Sequence, residues 1–375
     1  MGDNDLSVKE NPWRKKSTAP SPPPEIPATP PATPDDEPPP PKTFDSVFIS
    51  GHLCPPPLRQ QAPFIPDCLG GSIGVRFVKG EEPIRLSFGY NSYHPENTGG
   101  PVHNFSVGIG SELLTGKPKS WVRRSHVASL NPTLIVLPEG DVGFSANVQT
   151  QDGLMASKIP GIAGVNLFVG QTAALAGDSP YQLLFGVELS FPNSHYTGKK
   201  QPLGNWAYGV ARIVPKYRLG QISQDAWNIP GLAEDLFGYQ LDGLNAAAND
   251  IPATLALQSA FGETDPKLRP WIAGGMTLVG GILMGHGWSQ EKSSVYGVGD
   301  LVAVNGAAGF ANVLWPDQNR NKWTRTLFRS AVATANGGAG GLLMIDEETR
   351  PFGMSMMGPT AGILVFDLSE HIELK

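Results

Sequence analysis

From Gly71 onward, glycine, proline, asparagine and aspartate cut the chain into short apolar runs, and this punctuation constrains the fold more than any other feature. Residues 72–79 (SIGVRFVK) and 84–90 (IRLSFGY) alternate apolar with polar or small side chains. Successive side chains of a strand point to opposite sides, so period-two alternation marks a strand with two unlike faces. Comparable runs follow at 104–109, 133–137, 142–150, 165–169, 182–191 and 206–214. After residue 250 they recur at 253–261, 271–284, 295–304, 310–314, 327–335, 341–345 and 362–368. About fifteen short strands with frequent turn signals predict an all-β body, a β-sandwich or a barrel.

One interval breaks the pattern. Residues 230–249 (PGLAEDLFGYQLDGLNAAAN) set Leu232, Leu236, Leu241 and Leu244 on roughly one helical face. Pro230 suits a first helical turn, and Glu234 and Asp235 complement a helix N-terminus. The spacing predicts one interrupting helix near 231–249. It would cap a barrel or join two β subdomains of a body spanning 70–375 and divided near 225–250.

Ahead of that body lie two proline-rich stretches. Residues 1–45 hold thirteen prolines and few large apolar side chains, which predicts a disordered, partly polyproline arm. Five Lys+Arg against eight Asp+Glu in the arm exclude a basic tail that packages nucleic acid. Its PWRKK segment, residues 12–16, reads either as a short docking peptide or as solvated tail. Residues 46–69 form a lead-in segment in which Pro55, Pro56, Pro57, Pro63 and Pro66 argue against regular structure. Residues 1–16 lack the apolar core of a secretory signal peptide, and the longest apolar run, 271–284 (WIAGGMTLVGGILM), is too short for a spanning helix. It reads as a buried strand pair, and the chain as one without a helical membrane anchor.

Signatures of chemistry are missing. The chain carries no phosphate loop, HExxH, EF-hand loop or GxSxG elbow. Residues 336–341 (NGGAGG) read as a turn, and the acids Asp346, Glu347 and Glu348 as a solvated hairpin tip. His94 and His103 could approach across a loop, yet nothing nominates further metal ligands. Cys54 and Cys68, the only cysteines, are too few for a disulfide framework or a Cys-based zinc site; the default reading is two unlinked thiols, and the alternative is one local disulfide closing the proline-rich stretch in an oxidising compartment. No catalytic residue, metal or cofactor is assigned. Two basic and aromatic stretches remain, around Trp121, Arg123 and Arg124 and around Lys322, Trp323 and Arg325. Cations beside an indole suit an anionic or stacking partner, so these six are the candidate surface contacts. Charged strand edges that discourage aggregation explain them equally well.

Charge supplies the functional reading. Only 17% of the residues are charged, against roughly 25% in average chains, and Gly 45 with Pro 36 take an unusual share. A body so short of charge hides much of its outside, against copies of itself or against lipid. The leading expectation is a non-enzymatic structural subunit that self-assembles, as in a virus or phage particle, with copies of itself as partners and an arm that engages a protein partner. Nucleic acid is not expected as the main partner of a chain with net charge −6. The alternatives are a membrane β-barrel and a carbohydrate-binding or carbohydrate-acting β-rich protein.

Overall fold

A computed structural model of the protein describes residues 44–54, 68–79, 82–94, 99–115, 121–156, 164–177, 182–191, 201–226, 249–317 and 320–371. All of them belong to the second of two compact units, Pro41–Lys375. Residues 1–43, and 231–248 of the expected interrupting helix, lie outside the described residues.

Eight strands come first: β1 Phe44–Cys54, β2 Cys68–Lys79, β3 Glu82–Tyr93, β4 Val102–Thr115, β5 Val122–Val136, β6 Val142–Ala156, β7 Gly164–Ala176 and β8 Gln182–Phe191. Each pairs antiparallel with the next, and β1 pairs with β8 from Val47↔Phe191 to Leu53↔Phe185, which closes the sheet into a barrel. The prolines between 55 and 66 fall between β1 and β2, so most of the lead-in stretch before them is strand. The β5–β6 hairpin turns tightly at Gly140, whose φ of +91° suits glycine and whose N–H donates to the Leu137 carbonyl at 3.0 Å.

Glycine also makes room inside. A Cβ on Gly74 would overlap the Phe48 ring, and one on Gly186 would overlap the Phe168 ring, so both rings lie inside the barrel against bare backbone. Cys54 and Cys68 are directly opposed in the β1–β2 ladder and form a disulfide with Cα atoms 4.9 Å apart. That corrects the expectation of two unlinked thiols. Adjacent antiparallel strands bring the pair to bonding distance, a register that spacing alone did not reveal.

The expected all-β body is overturned after residue 200. Helices follow: α1 Pro202–Ala226, α2 over residues 249–263, α3 Arg269–Ser289, α4 Ser293–Leu314, α5 Lys322–Leu343 and α6 Arg350–His371. The runs at 206–214 and from 253 to 368 are therefore helical. Apolar runs rich in glycine and alanine do not separate a buried helix from a buried strand by periodicity, and length should have decided. In α3 and α4 the small residues serve contact. A side chain on Gly280 would overlap the Ala303 backbone, and one on Gly287 would overlap Tyr296, so the two helices touch almost backbone to backbone. The NGGAGG stretch lies within α5, and the acids 346–348 form an exposed turn between α5 and α6.

Among the described residues, α4 is the one helix long and apolar enough to cross a membrane, but 67% of its apolar window is buried inside the protein. It is the core of the helical module. Leu301, Ala308 and Ala311 on α4 are wholly buried.

Candidate functional site

The barrel wall alternates as the sequence led one to expect, but with its faces reversed. Twenty large apolar side chains of the eight strands are exposed, and all twenty point outward. On β3 these are Leu86, Phe88 and Tyr90, and on β4 Phe105, Val107 and Ile109; Phe88 is 67% exposed and Phe144 on β6 is 78% exposed. Inward-pointing positions carry Ser46, Ser50, Arg76, Arg85, Asn104, Glu112, Arg123, Ser125, Asn131, Glu188 and Ser190, all buried. A water-soluble barrel buries its apolar face; this one buries its charges.

Four of these five buried charges form a closed quartet across the lumen, and Arg123, the fifth, points inward as well. Arg76 Nε donates to Glu112 Oε2 at 2.6 Å, and its Nη2 donates to Glu188. Arg85 pairs with Glu112 at 3.4 Å and with Glu188 through Nη2. The four side chains are 0–7% exposed and come from β2, β3, β4 and β8, so opposite walls are tied together. Ser125 donates to Glu112 Oε1 at 3.0 Å, and Arg76 Nη1 donates to Ser190 at 2.8 Å. The Phe48 ring lies 4.0 Å from the Arg85 guanidinium carbon and 4.9 Å from that of Arg76. Two cations and two carboxylates sum to zero, which is what makes a buried ionic cluster tolerable. The quartet plugs the end of the barrel where the chain enters at β1 and leaves from β8.

Toward the disulfide end the lumen widens into a small polar cavity of about 80 Å³, lined by side chains such as Ser50, Ser72, Ser87, Asn91, Asn131 and Gln149. Amide and hydroxyl pairs cross it: Ser50 with Ser72 at 2.8 Å, Asn91 with Gln182 at 3.1 Å and Asn131 with Gln149 at 3.1 Å. Beyond this stand Cys54, Cys68, Phe168 and Leu184, packed together with Tyr93.

Among the described residues, Glu139 and Asp141 are exposed in the β5–β6 turn at the far end, while the outward charges on the strands lie toward the quartet end. Asp45, Glu82 and Arg124 face outward close to strand ends, and Asp152 sits slightly deeper. There α1 packs on the wall, with Tyr208 and Ala211 against Leu113, Ala128 and Val148. Arg212 and the Tyr208 hydroxyl both bind Asp152, whose Oδ1 also meets His126 Nδ1 at 2.7 Å. The helical module has a polar centre of its own. Lys216 Nζ donates to Asp250 Oδ2 at 2.7 Å and to the Gly297 carbonyl at 2.9 Å, and Asn336 donates to Asp300 Oδ2 at 3.2 Å. Burial pushes the Asp250 carboxyl up to about 6 and the Asp300 carboxyl up to about 7; Lys216 opposes both shifts, and Asp250 adds to that of Asp300.

The six expected surface contacts do not come together. Arg123 points into the barrel and is 4% exposed, while Arg325 is 2% exposed and donates to Asn312, so neither is a surface contact. Trp121 and Arg124 are exposed at the start of β5. Trp323, exposed on α5, stacks on His371 with ring centroids 4.2 Å apart, and Lys322 is half-buried beside it. Arg76, Arg85, Glu112 and Glu188 went unnoticed in the sequence, although each stands in phase with serine, glycine or asparagine on its strand. Among the described residues no three His, Cys, Asp or Glu side chains gather as a metal centre.

No protein-family model matches the chain, and no curated protein matches it either. Among solved structures it is similar to the crystal structure of Neisserial surface protein A, at 15% identity and a TM-score of 0.26, over 40% of this chain and 93% of that one. At that score the likeness carries no weight, and the barrel's own wall decides the reading. The capsid or virion subunit expected from the sequence falls with the all-β body. A closed eight-stranded barrel followed by helices replaces it.

Proposed function

We propose that residues 44–191 span a lipid bilayer as a closed β-barrel whose lumen is sealed by the Arg76–Arg85–Glu112–Glu188 quartet. The barrel then anchors the helical module rather than conducting solutes. The observation that carries this reading is the inverted wall, with charges inside and every exposed large apolar side chain outside. In water this exterior would be a liability, since soluble monomers rarely expose apolar patches beyond a few hundred Å². At roughly 1 kcal/mol for each half-exposed side chain, the twenty outward residues would forgo on the order of 20 kcal/mol by facing water. In lipid the same wall is matched to its solvent, and closure leaves no strand edge unpaired.

Dimensions agree. Between Ala128 and Val136 the outward residues of β5 are Ala128, which lies under α1, and Leu130, Pro132, Leu134 and Val136. That stretch is about 27 Å along the strand, or roughly 21 Å along the barrel axis at the usual tilt of about 40°. An apolar band of about 25 Å is typical of membrane barrels. The scarcity of charge across the chain is then explained by lipid rather than by copies of itself.

The experiment is refolding of the full chain in the presence of phosphatidylcholine vesicles, followed by flotation and alkaline extraction, with conductance recorded across a planar bilayer. Co-flotation that survives alkali, without steady conductance, supports a sealed barrel. Recovery as soluble protein without vesicles or detergent would refute it.

A further inference from the structure

The outer wall is not uniform. Across β5 to β8 it hollows into a groove of about 640 Å³, within the roughly 300–1,000 Å³ range of small-molecule sites. The floor lies where Gly153 on β6 and Gly186 on β8 flank Phe168 on β7 in the same row of the sheet. Leu154, Leu167, Val169, Phe185 and Val187 form the apolar sides. Arg124, His126 and Asp152 close its β5–β6 side, Arg124 in the row of Leu154, Leu167 and Val187, and His126 and Asp152 in the row of Val169 and Phe185. The groove is thus an apolar trough that runs across the strands toward β8 from a polar head at β5 and β6.

The polar head is unbalanced. Asp152 is neutralised by Arg212 of α1 and also engaged by Tyr208 and His126. Arg124 is exposed, and among the described residues it makes no ion pair within 4.0 Å. Two guanidinium groups against one carboxylate leave one positive charge beside the apolar trough. Arg124 is the third residue of β5, so it stands at the end of the apolar band, the depth at which lipid head groups meet a barrel.

We propose that this groove is a binding site for one anionic phospholipid, with an acyl chain along Leu154, Leu167, Val169, Phe185 and Val187 and the phosphate on Arg124. The proposal rests on the membrane-barrel reading. Phosphate and guanidinium are geometric partners, and the single surplus charge matches a singly anionic head group. A zwitterionic lipid fits the same trough but leaves the charge unanswered. One basic residue at a membrane surface corresponds to about a fivefold preference for the anionic lipid.

The test reconstitutes the full chain in maltoside micelles and follows its lipid adducts by native mass spectrometry, with phosphatidylglycerol and phosphatidylcholine of identical chains competing. The expected result is one retained phosphatidylglycerol, preferred about fivefold, with the preference abolished in Arg124→Ser and both lipids weakened in Leu167→Trp, which fills the trough. Vesicle flotation of each variant reads insertion separately. Equal retention of the two lipids by the parent, a preference that survives Arg124→Ser, or displacement by millimolar inorganic phosphate would overturn the proposal while leaving the barrel reading intact. So would a dimer that excludes lipid. Failure of the parent to float would overturn both.

Discussion

Replacing Glu188 by alanine would leave two guanidinium groups facing one carboxylate inside the barrel. In the intact protein Glu188 accepts from both Arg76 and Arg85, and all three side chains are at most 7% exposed. Removing one partner of a buried pair costs about 3–5 kcal/mol, because the stranded charge loses its partner and stays out of water. Glu188 serves two arginines, so Glu188→Ala belongs at the upper end of that range. Removing Arg85 as well restores neutrality. In Arg85→Met/Glu188→Ala the Arg76–Glu112 pair at 2.6 Å survives, and the methionine packs on the Phe48 ring that the guanidinium now covers at 4.0 Å. Swapping a buried ion pair for apolar groups is often close to neutral. The double variant should therefore be more stable than Glu188→Ala alone, with a coupling of at least about 2 kcal/mol between the two positions. Pulse proteolysis of the vesicle-inserted barrel across a urea series measures all three variants on one scale. A cost below about 1 kcal/mol for Glu188→Ala, or losses that simply add in the double variant, would refute the neutral-quartet reasoning.

Phe88→Arg, at the centre of β3 and opposite Val107, should cost about 2–4 kcal/mol of membrane stability by urea titration in vesicles, whereas a water-facing site would tolerate it. Cys54→Ser/Cys68→Ser removes a link with a sequence separation of 14 and should lower barrel stability by about 3 kcal/mol in the same titration, as reduction of the parent should. With the Asp300 carboxyl raised to about 7 and that of Asp250 to about 6, from an ordinary 3.8, the folded module binds more protons than the unfolded chain between those values. Module stability should therefore fall as pH rises from about 4 to about 7 and level off above, and Asp300→Asn should flatten the slope in thermal melts read by helical circular dichroism. Gly280→Val would drive a side chain into the Ala303 backbone and should lose at least about 1–3 kcal/mol of α3–α4 stability in those melts.

Strand β3 shows what the sequence could and could not disclose. Its alternation of Arg85, Ser87, Gly89 and Asn91 with Leu86, Phe88 and Tyr90 declares a strand with two unlike faces. Alternation is symmetric, however, and does not say which face is inside. Only closure of β1 onto β8 settles that, and it puts arginine within and phenylalanine without. The signal that was present was the recurrence of lone Arg or Glu residues among small polar ones at Arg76, Arg85, Glu112 and Glu188. Such a face fits a packed lumen better than a solvated surface, where lysine would be common. The helices were lost for a different reason. Gly280, Gly287 and Gly299 argue against helix by intrinsic propensity, at about 1 kcal/mol each, and are retained because they let α3 and α4 approach closely. Low charge was read as a hidden exterior, against copies of itself or against lipid, and the outward apolar wall favours lipid.

The most direct test of the inverted wall is quenching of tryptophan placed outside the barrel at Phe88, Phe105, Phe144 or Phe185, measured as the difference from the parent chain in vesicles with brominated acyl chains. Lipid-facing positions should be quenched by the bromines and shielded from aqueous acrylamide at all four sites. Acrylamide quenching without bromine quenching at these positions would put the apolar wall in water and contradict the membrane-spanning barrel.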